Sequence, residues 1–419
     1  MRGPVEGSTV VGARPAAARP SLRIGFVAWR DLAHPQAGGS EVVVDRYLRG
    51  LQQRGHHVQL MCGGPAGLRP YEVHELGGTY AQYLRAPITH AKKFRDVDVL
   101  VDVQNGIPFF SPLWRRKPSI CLVHHVHTEQ WGMTFPAPVA AVGRTLEGTL
   151  MPLAYRRRPY VAVSPGTAEE LAKLGIPEGQ ISVVTNGVEL ASPTAPRSEE
   201  PMFLALGRLV PHKRIDLLLK LWEQVRPHTG GRLVIAGDGP MLPALREQAG
   251  EGVELLGSVS ESTKADLLSQ AWLLTHPASH EGWGMVVLEA AMMRTPTLAF
   301  DVPGVRDTVC HSRTGWLMGD TAGFADQWIT AAHDASLRER VGVEARSWAE
   351  GFTWDRSIDR LERLLLEAAG RGVEATTMGV GEMNTTPTPF GSPTLAAAPS
   401  GLSPNVAAAL GRSPGPARP

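Results

Sequence analysis

Cysteine is scarce in this chain of 419 residues. Cys62, Cys121 and Cys310 are too few and too scattered for a disulfide framework or a cysteine-built metal cluster, so a reducing, cytoplasmic compartment is expected. Net charge is equally slight. Lys and Arg number 42 against 41 for Asp and Glu, so no global basic field invites nucleic acid. Long apolar runs are missing too. None approaches the roughly 18 residues of a membrane-spanning helix, and the N-terminus lacks the apolar core of a secretory signal. Finally, no G-x-G-x-x-G follows the first strand-like run, which counts against a dinucleotide dehydrogenase.

What is present is an alternation of apolar strands and helical patterns. LRIGFVA, a helix from Gly39 to Arg54, HHVQLMC, VDVLVDV, SICLVHH, Tyr160 to Ser164, a helix from Thr167 to Leu174 and ISVVTNGV form one series. After a linker over Ala191 to Pro201 comes MFLALGR, a helix over Ile215 to Val225, RLVIAGDG, VELLGSV, AWLLTHP and TPTLAFD. Near-continuous apolar strands separated by helices imply parallel sheets covered on both faces. The expected organisation is α/β: a flexible lead over 1–20, one Rossmann-like domain over 21–195, a second over 196–352, then a helix over 353–369. From 370 to 419 Pro, Gly, Ala, Thr and Ser dominate, a composition that reads as a disordered tail.

Two charged motifs stand at strand ends, where open α/β sheets bind ligands. GRLVPHKR places Arg208 and Lys213 five apart after one strand, and EGWGMVVLE places Glu281 and Glu289 eight apart after another. Singly, each charge has a plain explanation as solvated surface or as a complement to a helix dipole. Jointly they describe a site for a diphosphate and a polar, sugar-like group, because a helix N-terminus carries roughly half a positive charge and free donors. In the first domain, Gly38 and Gly39 precede a helix and allow close backbone approach to a phosphate, though a plain loop explains them equally. His124, the first residue off the strand in CLVHHVH, is the candidate hydrogen-bonding or acid/base group. With His125 and His127 it does not make a helix-type metal set, so no metal is expected. Asp96 and Asp98 fall at a strand's N-terminal end and read as solvated. Arg156, Arg157 and Arg158, after the apolar residues Leu150, Met151, Leu153 and Ala154, admit two readings: peripheral contact with anionic headgroups on the inner face of a membrane, or the solvated end of a helix.

Taken together, GGSE, VHHVH, VSPGTAEEL, VVTNGVE, GRLVPHKR, LVIAGDGP and EGWGMVVLE resemble, in order and spacing, the group 1 (family 4) retaining glycosyltransferases of GT-B fold, over roughly residues 22 to 368. That resemblance implies two Rossmann-like domains facing across a cleft, the helix in FTWDRSIDRLERLLLEA crossing back onto the first, and metal-independent, front-face sugar transfer from a nucleoside diphosphate sugar to a hydroxyl of a lipid, polysaccharide or small glycoside. No further cofactor is implied. Arg208, Lys213 and the backbone at Gly39 would hold the diphosphate. Glu281 would bind donor-sugar hydroxyls, with the backbone of Gly282, Trp283, Gly284, Met285 and Val286 beside it. Glu289 would meet the ribose and the backbone near Val259 the base. Asn186 would order the interdomain region. Two other readings remain open, a non-catalytic nucleotide-sugar-binding subunit and a sugar-nucleotide epimerase. Oligomeric state has no signature in the sequence.

Overall fold

The structure, a computed structural model, describes residues 20–78 and 80–371. The expectations of a flexible lead and a disordered tail otherwise lie outside the described residues. Gly370 and Arg371, assigned in advance to the tail, are described: Arg371 donates to the Ser21 carbonyl at 2.8 Å.

Seven strands form a wholly parallel first sheet: β1 (Arg23–Arg30), β2 (His57–Gly63), β3 (Glu72–Glu75), β4 (Val99–Gln104), β5 (Ser119–Val123), β6 (Tyr160–Ala162) and β7 (Ile181–Val183). Their order is β3-β2-β1-β4-β5-β6-β7. The second sheet, also parallel, holds β8 (Met202–Leu206), β9 (Arg232–Ala236), β10 (Val253–Gly257), β11 (Leu273–His276), β12 (Thr297–Phe300) and β13 (Gly315–Met318) in the order β10-β9-β8-β11-β12-β13. Every residue of β4 and β5 is buried, as expected of strands covered on both faces. The chain is therefore an α/β protein of two Rossmann-like sheets. The short, polar β3 (EVHE) and four-residue β13 escaped the sequence reading because neither offers a sustained apolar run.

Right-handed crossovers sort the helices by face. The step from β1 to β2 carries α1 (Gly39–Gln53) to one face of the first sheet. Steps in the opposite direction carry α2 (Ala81–Lys93), α3 (Ser111–Trp114), α4 (Gln130–Thr134), α5 (Ala137–Thr145), a π turn (Leu146–Leu150), α6 (Met151–Ala154) and α7 (Pro165–Lys173) to the other. The α7 helix starts two residues before the expected Thr167, because Ser164 caps it by accepting the Thr167 N–H and Pro165 suits the first helical position. Around the second sheet lie α8 (Ile215–Thr229), α9 (Leu242–Gln248), α10 (Glu261–Gln270), α11 (Met285–Met292), α12 (Val305–Thr308), α13 (Thr321–His333) and α14 (Ala335–Ala349).

The last helix, α15 (Trp354–Ala368), lies against α1. Gly50 makes this approach feasible, since a Cβ there would overlap Ile358. One buried cluster joins β1, β2, β4, α1 and α15 with Trp283, Leu288 and Met292 around α11 and Ala345 and Ala349 of α14. The first sheet thus shares a core with α11 and α14 of the second domain on the side where α15 crosses.

One expectation is corrected. Asp98 is not simply solvated: its carboxylate accepts the Arg23 N–H at 2.8 Å, tying the start of β1 to that of β4. The stretch before the three arginines divides between core and surface. Met151 is buried in the core while Leu150 and Leu153 are exposed, and Arg158 is drawn partly inward to the Arg115 and Arg116 carbonyls.

Candidate active site

The strand C-terminal ends of both sheets converge on one cleft. From the second sheet, the turn after β8 carries Gly207, Arg208 and Lys213, which line a small recess with Thr275 and His276 of β11. Ser279 donates through its N–H to the His212 carbonyl (2.9 Å), so the β8 and β11 loops are held as one unit. Gly284, with φ of +77°, turns the chain from the β11 loop into α11, a conformation that favours glycine.

Glu281 is the most tightly held charge of this wall. Lys213 forms an ion pair with it, and His276 Nε2 stands 3.2 Å from the same carboxylate oxygen. Burial alone would raise the Glu281 carboxyl, but Lys213 and His276 hold it well below the usual carboxylate range. Glu289, one helical stretch further on, has the opposite balance. Burial raises it, and Lys264 at 3.0 Å on α10 only partly opposes the shift. Lys264 was missed in the sequence. Val259, half-buried, sits in the turn between β10 and α10, one turn of chain from Lys264. Arg208 is exposed and forms no ion pair among the described residues.

The first sheet supplies the facing wall. A Cβ on Gly38 would stand 3.5 Å from Arg208 Nε, and one on Gly39 would stand 3.5 Å from Met285 Sδ, so the start of α1 meets both charged loops. Glu41 reaches back to accept the Gly38 N–H at 2.7 Å, which uses one donor of that helix start internally. His124 is buried and its Nε2 has no hydrogen-bond partner among the described residues; burial, with His127 nearby, lowers it to about 4, so it is neutral at physiological pH. The indole of Trp283 turns away from the cleft onto Phe352, 5.3 Å between ring centres, leaving backbone as its contribution there. Asn186 is buried beside the segment where Ser357 of α15 bonds Thr185.

Glu147 is the residue that sequence reasoning missed most completely. Fully buried in the π turn, its carboxylate accepts from the His127 N–H (2.8 Å), Trp131 Nε1 (3.0 Å) and Gln104 Nε2 (2.9 Å). It therefore fixes the loops after β4 and β5. His125 stacks on His127 at 3.9 Å, and His280 of the opposite wall lies 5.6 Å from His125. Among the described residues no group of three His, Cys, Asp or Glu side chains is placed to hold a metal ion.

The walls touch most closely at Gly282, where a Cβ would overlap the His124 carbonyl oxygen; Thr167 Oγ1 lies 3.5 Å from that carbonyl and from the Gly282 carbonyl. Gly282→Ala should push the two loops apart and lower kcat/KM by roughly tenfold to a hundredfold, since displacements of about 1 Å can cost that much. Steady-state kinetics beside a thermal midpoint checks this; unchanged kcat/KM would mean the loops part freely during turnover.

Two parallel α/β sheets with charged loops converging on a shared cleft are the architecture of the GT-B fold. The comparisons agree. The model for "Glycosyltransferase Family 4" matches residues 37–192 and that for "Glycosyl transferases group 1" matches 189–348. The chain belongs to the group 1 glycosyltransferases. It is similar to N-acetyl-alpha-D-glucosaminyl L-malate synthase of Bacillus anthracis, 24% identical over 376 residues, covering 82% of this chain and 96% of that one. It is also similar to D-inositol 3-phosphate glycosyltransferase of Gordonia bronchialis, 30% identical over 224 residues, covering 46% and 48%. Among solved structures, Anabaena Alr3699/HepE in complex with UDP and glucose superposes with a TM-score of 0.68 at 15% identity, over 83% of this chain and all of that one. WaaG, a glycosyltransferase involved in lipopolysaccharide biosynthesis, gives 0.66 at 16%, over 82% and 99%.

Proposed function

We propose that the protein transfers a sugar from a nucleoside diphosphate sugar to an acceptor hydroxyl, with retention of configuration and without a metal ion. The observation that carries this reading is the Lys213–Glu281 pair, set beside Arg208 where Gly38 closes on it from the other wall. A diphosphate entering there exchanges one carboxylate for a stronger anionic partner on Lys213 and frees Glu281 for sugar hydroxyls. Arg208, Lys213 and the Gly39 backbone then neutralise the leaving diphosphate. Glu289 faces the ribose, the chain near Val259 the base, and the Gly282 to Val286 backbone the sugar.

In the reacting complex the bond from the anomeric carbon to the phosphate oxygen breaks as the acceptor oxygen bonds the same face of that carbon. The acceptor proton passes to the departing phosphate oxygen, so charge and atoms balance without a covalent carboxylate. Glu281, ionised, stabilises the oxocarbenium-like sugar. His124, neutral, offers a hydrogen bond from the acceptor side. Glu147 positions that wall. The enzyme would act in a reducing, cytoplasmic compartment, in keeping with the three free cysteines.

The test is a panel of UDP-, GDP-, ADP- and TDP-sugars in EDTA, read by thermal shift and by slow donor hydrolysis, on the wild type and on Glu281→Ala. One donor class should stabilise the protein and be hydrolysed, with hydrolysis lost in the variant. Stabilisation without turnover, even with acceptors supplied, would favour a binding subunit; a changed sugar with the diphosphate intact would favour an epimerase.

A further inference from the structure

The outer surface of the helical layer formed by α2, α3, α5 and α6 has a composition unlike the rest of the molecule. Of thirteen exposed large apolar residues among the described residues, nine lie between Tyr80 and Leu153; six of these stand on the four helices themselves, and Leu84, Leu113 and Leu153 among them are 78%, 73% and 61% exposed. Such clustering on one face is characteristic of an interaction surface.

Charge on this layer is of one sign. Residues 80–95, 111–119 and 137–158 contain a single acid, Glu147, and it is fully buried. Lys92, Arg116, Lys117, Arg144, Arg156 and Arg157 are all exposed. Acids return only at the margins, with Asp96, Glu129 and Glu169. The helices are neighbours: His90 of α2 packs on Trp114 of α3 at 5.1 Å, Lys117 donates to the Arg95 carbonyl at 3.1 Å, and Arg158 reaches the Arg115 and Arg116 carbonyls.

We infer that this face docks on an anionic lipid bilayer. Cations near an anionic membrane gain about 1 kcal/mol each, and exposed Leu and Val side chains gain by entering the headgroup boundary. Nucleic acid would use the cations but leave the apolar side chains in water, and the two kinds of residue here share one surface. No helix among the described residues is long and apolar enough to cross a membrane, so the contact is peripheral. This inference is independent of the donor and acceptor proposed above.

The experiment is flotation of the full chain with phosphatidylcholine vesicles, with and without phosphatidylglycerol, at low and high salt. The protein should float with the anionic vesicles only, and salt should weaken binding without abolishing it. Arg156→Glu/Arg157→Glu and, separately, Leu113→Asp/Leu153→Asp should each weaken binding at least tenfold, with thermal midpoints unchanged, whereas Lys220→Glu on α8 should bind as wild type. No binding to anionic vesicles, or equal binding by the face variants, would overturn the inference. So would an oligonucleotide that binds in a manner sensitive to the arginine pair but not to the leucine pair, coupled with no vesicle flotation.

Discussion

Lys213→Ala should lower kcat by about a hundredfold to a thousandfold, roughly 3–4 kcal/mol of transition-state stabilisation, the amount lost with one preorganised partner of a developing charge. Two effects add in this variant. The departing diphosphate loses a cation, and Glu281 loses the neighbour that keeps it ionised. Burial is the largest influence on Glu281 and acts to raise it; Lys213 is the largest influence acting the other way. The wild-type carboxyl therefore titrates below its unfolded value, and its contribution to stability is present above the unfolded carboxylate pKa and lost as pH falls through the lowered folded value. Without Lys213 the raising influence of burial gains ground, His276 alone opposing it. The Glu281 contribution to acid sensitivity should shrink or reverse, so the variant's thermal midpoint should fall less than the wild type's between about pH 5 and pH 3, the window that opens at the ordinary Glu value of about 4.3 and runs downward. Turnover near wild-type would remove Lys213 from the leaving-group site. A variant with lost turnover but wild-type pH dependence of the midpoint would mean that Glu281 finds another cation.

How much of this was legible in advance depended on sequence distance. The strands carrying the site were readable because parallel strands buried on both faces are near-continuous apolar runs, and the turn after each is where charged motifs matter. Arg208 lies two residues past β8, and Glu281 lies in the turn between β11 and α11, as their motifs imply. Residues whose partners are remote in sequence were not legible. Glu147 looks like a stray acid in an apolar segment, and only the fold brings it to Gln104, 43 residues earlier. Lys264 reads as one more charge on α10 until Glu289 is placed 3.0 Å away. His125 and His127 share a face, as alternation along an extended chain requires, but their approach to His280 depends on how the two sheets meet. The same holds for α15. Its apolar seam is plain in the sequence, whereas the buried polar contact that fixes its register is not.

That contact sets the second large effect. Arg54, at the end of α1, donates to Glu362 of α15 at 2.7 Å across 308 residues of sequence, and also to Asp359. The Leu22 N–H donates to His56 Nδ1, so the proton is on Nε2, which donates to the other Glu362 oxygen at 3.0 Å. The Glu362 side chain is only 4% exposed. Burial would raise its carboxyl, but Arg54 and His56 hold it below the ordinary value, so its contribution is present at neutral pH and is lost in acid. Arg54→Ala leaves that carboxylate buried with its strongest partner gone and should destabilise the protein by about 3–5 kcal/mol. Asp359→Ala, whose carboxylate is half exposed, should cost under about 1 kcal/mol. Urea unfolding followed by tryptophan fluorescence separates them, because Trp354 opens α15 and packs edge-on against Tyr47 of α1 at 6.2 Å. Equal, small effects would mean that Ile358, Leu361 and Leu365 hold α15 unaided. The expected large effect should reach catalysis as well. The α1 helix that Arg54 ends is the one whose first residues, Gly38 and Gly39, meet Arg208 and Met285, so loosening α15 frees the wall that closes on the diphosphate.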